Sequence, residues 1–125
     1  MSAGMDLRAF TDEPITIMPG EHKLIHSGIN IQLPEGYEVQ VRPRSGLALK
    51  YGITLTNAPG TIDADYRGDV GAIVHNLGTE PFTVNNGDRI CQIVVKEYIG
   101  ITWELTDELD DTERGTGGFN STGIQ

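Results

Sequence analysis

Among its 125 residues the chain has one cysteine, Cys91. A lone thiol makes no internal disulfide and no cysteine-based zinc cluster, and it fits a reducing, cytoplasmic-type compartment. Long apolar runs are also missing, so no membrane-spanning stretch is expected. The opening "MSAGMDLRAF" has no basic segment followed by an apolar one, so no signal peptide is expected either. Positive charge is scarce. Nine Lys and Arg face 18 Asp and Glu, for a net charge of −9. That balance argues against a broad nucleic-acid or anionic-membrane surface. A small anionic ligand stays possible where cations, N–H groups or a metal ion cluster locally.

Helical periodicity is nearly absent, and alternation takes its place. In "YEVQVRP", Tyr37, Val39 and Val41 point one way and Glu38, Gln40 and Arg42 the other. "GINIQL" repeats this with Ile29, Ile31 and Leu33, which predicts another strand. "DVGAIVHN" and "RICQIVVKEY" are richer in apolar residues and read as central strands. Turn signals separate the strands at Pro19-Gly20, Pro34-Glu35-Gly36, Ala58-Pro59-Gly60 and Asn85-Asn86-Gly87-Asp88. Short strands with regular turns predict one all-β domain, a sandwich or barrel. One short helix is expected from Ser45, stopping at Gly52. From about Asp107 the pattern gives way to acidic residues and then to "RGTGGFNSTG", too polar to bury much surface and therefore expected to be mobile.

Five stretches carry more Gly and polar residues than strands require: "AGMDLRA", "PRSGLA", "NAPGTIDADYRG", "GDRICQ" and the terminal arm. In "PRSGLA", Ser45 and Gly46 fall where a helix would open and offer N–H groups to phosphate, with Arg44 as a bidentate donor. The plain alternative is that Ser45 is an N-cap and Arg44 a solvated charge. In "NAPGTIDADYRG", Pro59 and Gly60 suit a type II turn. If the next residues are extended, Asp63 and Asp65 share a face with Tyr66 opposite. A carboxylate in a cleft can hold and deprotonate a water; a solvated turn explains the same residues. Gln92 interrupts an apolar strand and needs partners, structural or catalytic. Asp6 is either a turn former or an acid near a metal. His22, His26 and His75 share no ligand spacing and read as ordinary surface or strand residues. The arm lacks the lysine of a P-loop and follows no strand into a helix, so neither nucleotide-loop fingerprint applies.

In this order and at these separations, the five stretches resemble the trimeric dUTPases from Ala3 to Gly123. The resemblance implies a jelly-roll-like β-barrel over residues 1–113 and a flexible arm over 114–125 that closes on the active site. It implies a homotrimer whose three sites are shared between subunits. The implied activity is Mg²⁺-dependent hydrolysis of dUTP to dUMP and pyrophosphate, by water attacking the α-phosphate. Such an activity keeps uracil out of DNA and supplies dUMP for dTMP synthesis, in the cytoplasm, or in a host cell's nucleus or cytoplasm if the source is viral. Carried over by motif, Asp63 is the acid that activates the water and Gln92 a second group that orients it. A hairpin from about Asn57 to Tyr66, including Gly60, Thr61 and Ile62, forms the pyrimidine pocket, with Asn57 on the uracil edge. Tyr66 packs on the deoxyribose. Arg44, Ser45 and Gly46 hold phosphates, and Asp6 positions Mg²⁺ through water. In the arm, Arg114 reaches the γ-phosphate, Phe119 stacks over the uracil, and Gly118, Ser121 and Thr122 complete the grip.

Two departures stand out. Where the family has a strand ahead of "AGMDL", only Met1 and Ser2 precede Ala3; and Asn120 takes the place of a glycine in the arm. The related dCTP deaminases need a carboxylate near Ile73, and "GAIVHN" has none. A nucleotide-binding trimer without catalysis is the other alternative; the presence of both Asp63 and Gln92 favours an enzyme.

Overall fold

Alternating apolar residues build nine short strands in the computed structural model, which describes residues 1–119 and 123. They are β1 (Met5–Arg8), β2 (Ile15–Ile17), β3 (His22–His26), β4 (Tyr37–Arg42), β5 (Ile53–Leu55), β6 (Gly60–Ile62), β7 (Gly71–Asn76), β8 (Phe82–Val84) and β9 (Arg89–Glu97), with one helix, α1 (Ser45–Tyr51). All pairings are antiparallel and form three sheets ordered β1-β9-β4-β6, β3-β7-β5 and β2-β8. The two strands expected to be central, β7 and β9, each have a neighbour on both sides. This is an all-β, jelly-roll-like fold.

The three sheets enclose one core. Ile17 of β2, Ile25 of β3, Val39 of β4, Ile53 of β5, Val74 of β7 and Val84 of β8 are all fully or almost fully buried. Each such side chain contributes on the order of 2 kcal/mol by leaving water. The one fully buried polar side chain among the described residues, Asn76, is satisfied on both ends. Its Nδ2 donates to the carbonyls of Ile17 and Glu80 (2.9 and 2.8 Å), and its Oδ1 accepts from the Gly78 N–H at 2.9 Å. That amide ties the end of β7 to β2 and to the following turn, and among the described residues no buried side-chain nitrogen or oxygen lacks a partner.

Five local expectations are corrected. "GINIQL" forms no strand. Its backbone is spent on other partners: the Ile29 carbonyl accepts from Val70 N–H at 2.8 Å, while Ile31 and Leu33 still pack on the core. Alternation marks the buried side, but no neighbouring strand is there to pair with. The N-cap of α1 is Arg44, not Ser45, and no side chain caps it. The helix stops where expected, because Gly52 takes φ +69 and its N–H bonds back to Ala48. A side chain there would also collide with the Gly78 backbone, 2.8 Å from an ideal Cβ.

The other three corrections concern residues 57–66. Gly60 lacks the positive φ of a type II turn and instead opens β6. The segment is no hairpin either, since β5 pairs with β7 while β6 pairs with β4. Residues 56–59 therefore carry the chain from one sheet to another. Asp63 and Asp65 do not share an extended face with Tyr66 opposite. The chain turns there, with the Tyr66 N–H on the Asp63 carbonyl at 3.1 Å. Asp63 and Tyr66 thus line one cleft, and Asp63 also borders a neighbouring depression, which Asp65 lines and Tyr66 does not.

Beyond β9 the chain leaves the core. Ile99, Ile101, Trp103 and Leu105 occupy every second position of a run without regular secondary structure, each at least 79% exposed. Further on, Arg114–Gly117 close a turn, with the Gly117 N–H on the Arg114 carbonyl at 3.1 Å.

Candidate active site

The predicted residues gather in two places on the barrel. The first lies on the outer face of the four-stranded sheet. Asp6 of β1 sits opposite Gln92 of β9, which sits opposite Arg42 of β4. Directly paired residues share a face. Their neighbours Leu7, Cys91 and Val41 point the other way and are buried, so the core sets which face these polar groups occupy.

Arg44 and Arg89 hold the Asp6 carboxylate between them. Arg44 Nε lies 3.2 Å from Oδ1, and Arg89 Nη1 lies 3.4 Å from Oδ2. Arg44 also donates to the Arg89 carbonyl at 3.3 Å. The Gln92 amide donates to the Pro43 carbonyl at 3.0 Å, which pins β9 to the start of "PRSGLA". Its Oε1 lies against Gly4, where any side chain would clash. The first, second and fourth motifs are thus in mutual contact. Ser45 and Gly46 follow at the exposed start of α1. Arg89 belongs to the fourth motif but has no role legible in sequence; its value emerges from the register that sets it beside Asp6.

The second place is a cleft of about 490 Å³ at the edge of β6 and β7. Asn57, Thr61, Ile62, Asp63 and Tyr66 line it, as expected of the third motif. Gly60 does not line the cleft itself but sits behind Asn57: a Cβ there would lie 3.2 Å from Asn57 Nδ2. Ile73 closes the floor with an apolar side chain, and His26 and Asp69 form a wall that sequence reading misses. His26 reads in sequence as an ordinary strand residue. The only local signal for Asp69 is that it follows "DYRG" directly.

Asp63 and Gln92 do not meet in one pocket: Gln92 borders a separate depression with Arg42 and Pro59. Nor do the described residues of the arm reach either place. The Arg114 Nε donates to its own Gly117 carbonyl at 2.7 Å, and Phe119 is fully exposed. Gly118 has no neighbour within contact of an added side chain. Ser121, Thr122 and Asn120 lie outside the described residues.

The chemistry available excludes some mechanisms. Cys91 is buried and its thiol is pushed up to about 12, first by burial and second by the Asp6 charge, so it is no nucleophile. Among the described residues no three His, Cys, Asp or Glu side chains converge as a metal cage. No helix among them is long and apolar enough to cross a membrane.

Comparison with known proteins identifies the family and the fold. The sequence pattern of the dUTPase family matches residues 1–123. The chain is 56% identical over 123 residues to the deoxyuridine 5'-triphosphate nucleotidohydrolase of Rickettsia akari (strain Hartford), covering 98% of this chain and 83% of that protein. It is 57% identical over 126 residues to the enzyme of the same name from Maricaulis maris (strain MCS10), covering 99% and 83%. In fold it is similar to a mutant dUTPase of Staphylococcus bacteriophage 80alpha solved with dUpNHpp, with a TM-score of 0.87 at 23% identity over 98% of this chain and 87% of that one. A mutant dUTPase from phage phi11 of S. aureus, whose structure reveals the coordination of a structural Mg(II) ion, superposes with a TM-score of 0.78 at 21% identity, over 88% and 86%. The chain is an enzyme and belongs to the dUTPase family.

Proposed function

We propose that the chain hydrolyses dUTP to dUMP and pyrophosphate in a site assembled between copies of itself. The observation that carries the reading is the cleft in which Asp63, Asn57 and Tyr66 converge. It offers a carboxylate for a water, an amide for a pyrimidine edge and a ring for a sugar. Asp63 takes the proton as the water attacks the α-phosphate, and Gln92 helps to orient that water. Asn57 and nearby backbone groups bond the uracil, in a space too tight for thymine's methyl. The Tyr66 ring packs on the deoxyribose and excludes a 2′-hydroxyl.

The two half-sites explain the need for assembly. Asp63 and Tyr66 lie in one cleft, while Arg44, Asp6 and Gln92 lie elsewhere on the same chain. A neighbouring copy brings the phosphate-binding half to the nucleoside-binding half. The exposed row Ile99, Ile101, Trp103 and Leu105 supports the same reading, since alternating apolar residues left in water are covered when the segment pairs with a partner's sheet. A homotrimer satisfies both through one repeated contact. Arg114, Gly118, Phe119, Ser121 and Thr122 then close over the nucleotide as a lid that excludes bulk water. The trimer forms no complex with nucleic acid or membrane, given the acidity of the chain.

The donor set fits Mg²⁺ held mainly by its substrate. One accessible carboxylate, Asp6, stands beside two arginines, and no protein cage surrounds it among the described residues. Mg²⁺ keeps several waters and favours phosphate oxygens with one or two carboxylates. Asp6 would hold it through water, and when bound the ion would neutralise triphosphate charge. Arg44, the N–H groups of Ser45 and Gly46, and Arg114 bind the phosphate oxygens that remain.

The test is to incubate the full chain with dUTP and Mg²⁺ and to separate the products. Equal amounts of dUMP and pyrophosphate, lost on chelation, are expected. Production of dUDP and phosphate, or release of ammonia from dCTP instead, would contradict the reading.

A further inference from the structure

One acid in the cleft wall ties several segments together. Asp69 lies just before β7 in "YRGDVG". Its Oδ1 accepts from the Gly28 N–H at 2.6 Å, and its Oδ2 meets His26 Nδ1 at 2.9 Å and the Ser27 N–H at 3.4 Å. Its backbone carbonyl accepts the Tyr66 hydroxyl at 2.9 Å. Two further bonds stitch the same segments: Val70 N–H to the Ile29 carbonyl at 2.8 Å, and Asn30 Nδ2 to the Arg67 carbonyl at 2.6 Å.

The anchor on the other side is itself tied down. The Phe10 N–H bonds to the His26 carbonyl at 2.8 Å, and Gly28, at φ +71, lies close under the Phe10 ring. By contrast, Tyr66 is 44% exposed and is not held by packing alone. Its ring lies over Gly68, so closely that any side chain at 68 would overlap the phenol. Among the described residues, the bond to Asp69 is the hydroxyl's one hydrogen bond.

Rejecting a sugar hydroxyl is a steric task, and a wall that yields rejects little. We infer that Asp69 is a positioning residue for sugar selection: its carboxylate clamps the 66–69 turn to the Ser27–Gly28 loop, and this fixes how far the Tyr66 ring stands into the cleft. The inference rests on the reading of Tyr66 as the wall against the deoxyribose. Charge-assisted bonds from an acid to two or three N–H groups suit this task, because they hold a turn without filling the cleft.

The experiment measures kcat and KM for dUTP and for UTP in Asp69→Ala, Asp69→Asn, Tyr66→Phe and Tyr66→Ala, with assembly and Tm checked for each. In Asp69→Ala the preference for dUTP falls about tenfold, through KM more than kcat. Asp69→Asn keeps an oxygen for the Gly28 N–H and retains most of the preference. Tyr66→Phe loses preference as Asp69→Ala does, and the double variant is no worse than either, because the hydroxyl bond and the carboxylate clamp act in series. An unchanged preference in Asp69→Ala, while Tyr66→Ala relaxes it, overturns this inference alone. So does an equal loss on both substrates with a lowered Tm, which marks a merely structural residue. If Asp69→Ala fails to fold, Tyr66→Phe decides, and an unchanged preference there overturns it. An unchanged preference in Tyr66→Ala overturns the sugar reading of Tyr66 itself, and this inference with it.

Discussion

Asp6 and Arg44 hold each other: the guanidinium Nε sits 3.2 Å from the carboxylate Oδ1. The acid expected near a metal and the cation expected on phosphate are thus paired across β1 and the start of α1. A polyanion carrying Mg²⁺ offers each of them a new partner. Asp6→Asn is therefore expected to raise the Mg²⁺ concentration needed for half-maximal turnover several-fold. Binding of dUDP without metal should hold or strengthen, since Arg44 is released. Calorimetry with and without Mg²⁺ reads both; weaker metal-free binding would mean that Asp6 serves only to place Arg44.

Asp63→Asn keeps the shape of the side chain at the cleft and removes its basicity. Turnover is expected to fall roughly 10²–10⁴-fold, the usual worth of a general base. Affinity for a non-hydrolysable dUTP analogue should change little. A variant that turns over normally would remove Asp63 from the chemistry.

Truncation separates the two roles of the C-terminal region. A chain ending at Tyr98 loses the exposed row Ile99, Ile101, Trp103 and Leu105 and should remain monomeric in light scattering. A chain ending at Glu113 keeps that row and should assemble yet hydrolyse dUTP poorly. An assembled chain ending at Tyr98 would show that the row is not the contact.

Cys91 makes stability fall in alkali. The buried thiol stays protonated up to about 12, whereas the unfolded thiol ionises near 9.0. Between these values the unfolded state binds fewer protons, so stability drops with rising pH, on the order of 1 kcal/mol per unit at most. Denaturant melts from about pH 9 to 11 should show the slope, and Cys91→Ala, though less stable near pH 7, should lose this component. The native thiol should also resist modification at about pH 8.

Much of the fold was legible because alternation is a direct print of a sheet's buried face. Val39 and Val41 are buried where the pattern puts them, and Ala72 and Val74 alternate in the same way, whereas Ile90 and Cys91 are buried side by side. The helix end was legible too, since Gly52 has a conformation few other residues tolerate. What misled was pairing. Ile31 and Leu33 alternate like strand residues but lie in a loop, because alternation reports burial and not hydrogen-bond partners. The 57–66 segment misled for a related reason. Two short strands close in sequence looked like a hairpin, yet each completes a different sheet. The motif residues of the site stood out in sequence, whereas His26 and Asp69 became visible only once β3 and β7 were laid side by side.

The claim that one chain supplies the nucleoside half of a site and another the phosphate half is tested most directly by mixing inactive variants. Asp63→Asn and Arg44→Ala are each prepared alone, unfolded together in equal amounts and refolded. With sites shared between copies, random assembly leaves about a quarter of them with both residues intact, so close to that fraction of wild-type dUTP turnover should return. If each chain holds its whole site, no mixture contains an intact one, and activity staying at the level of the separate variants would contradict the account.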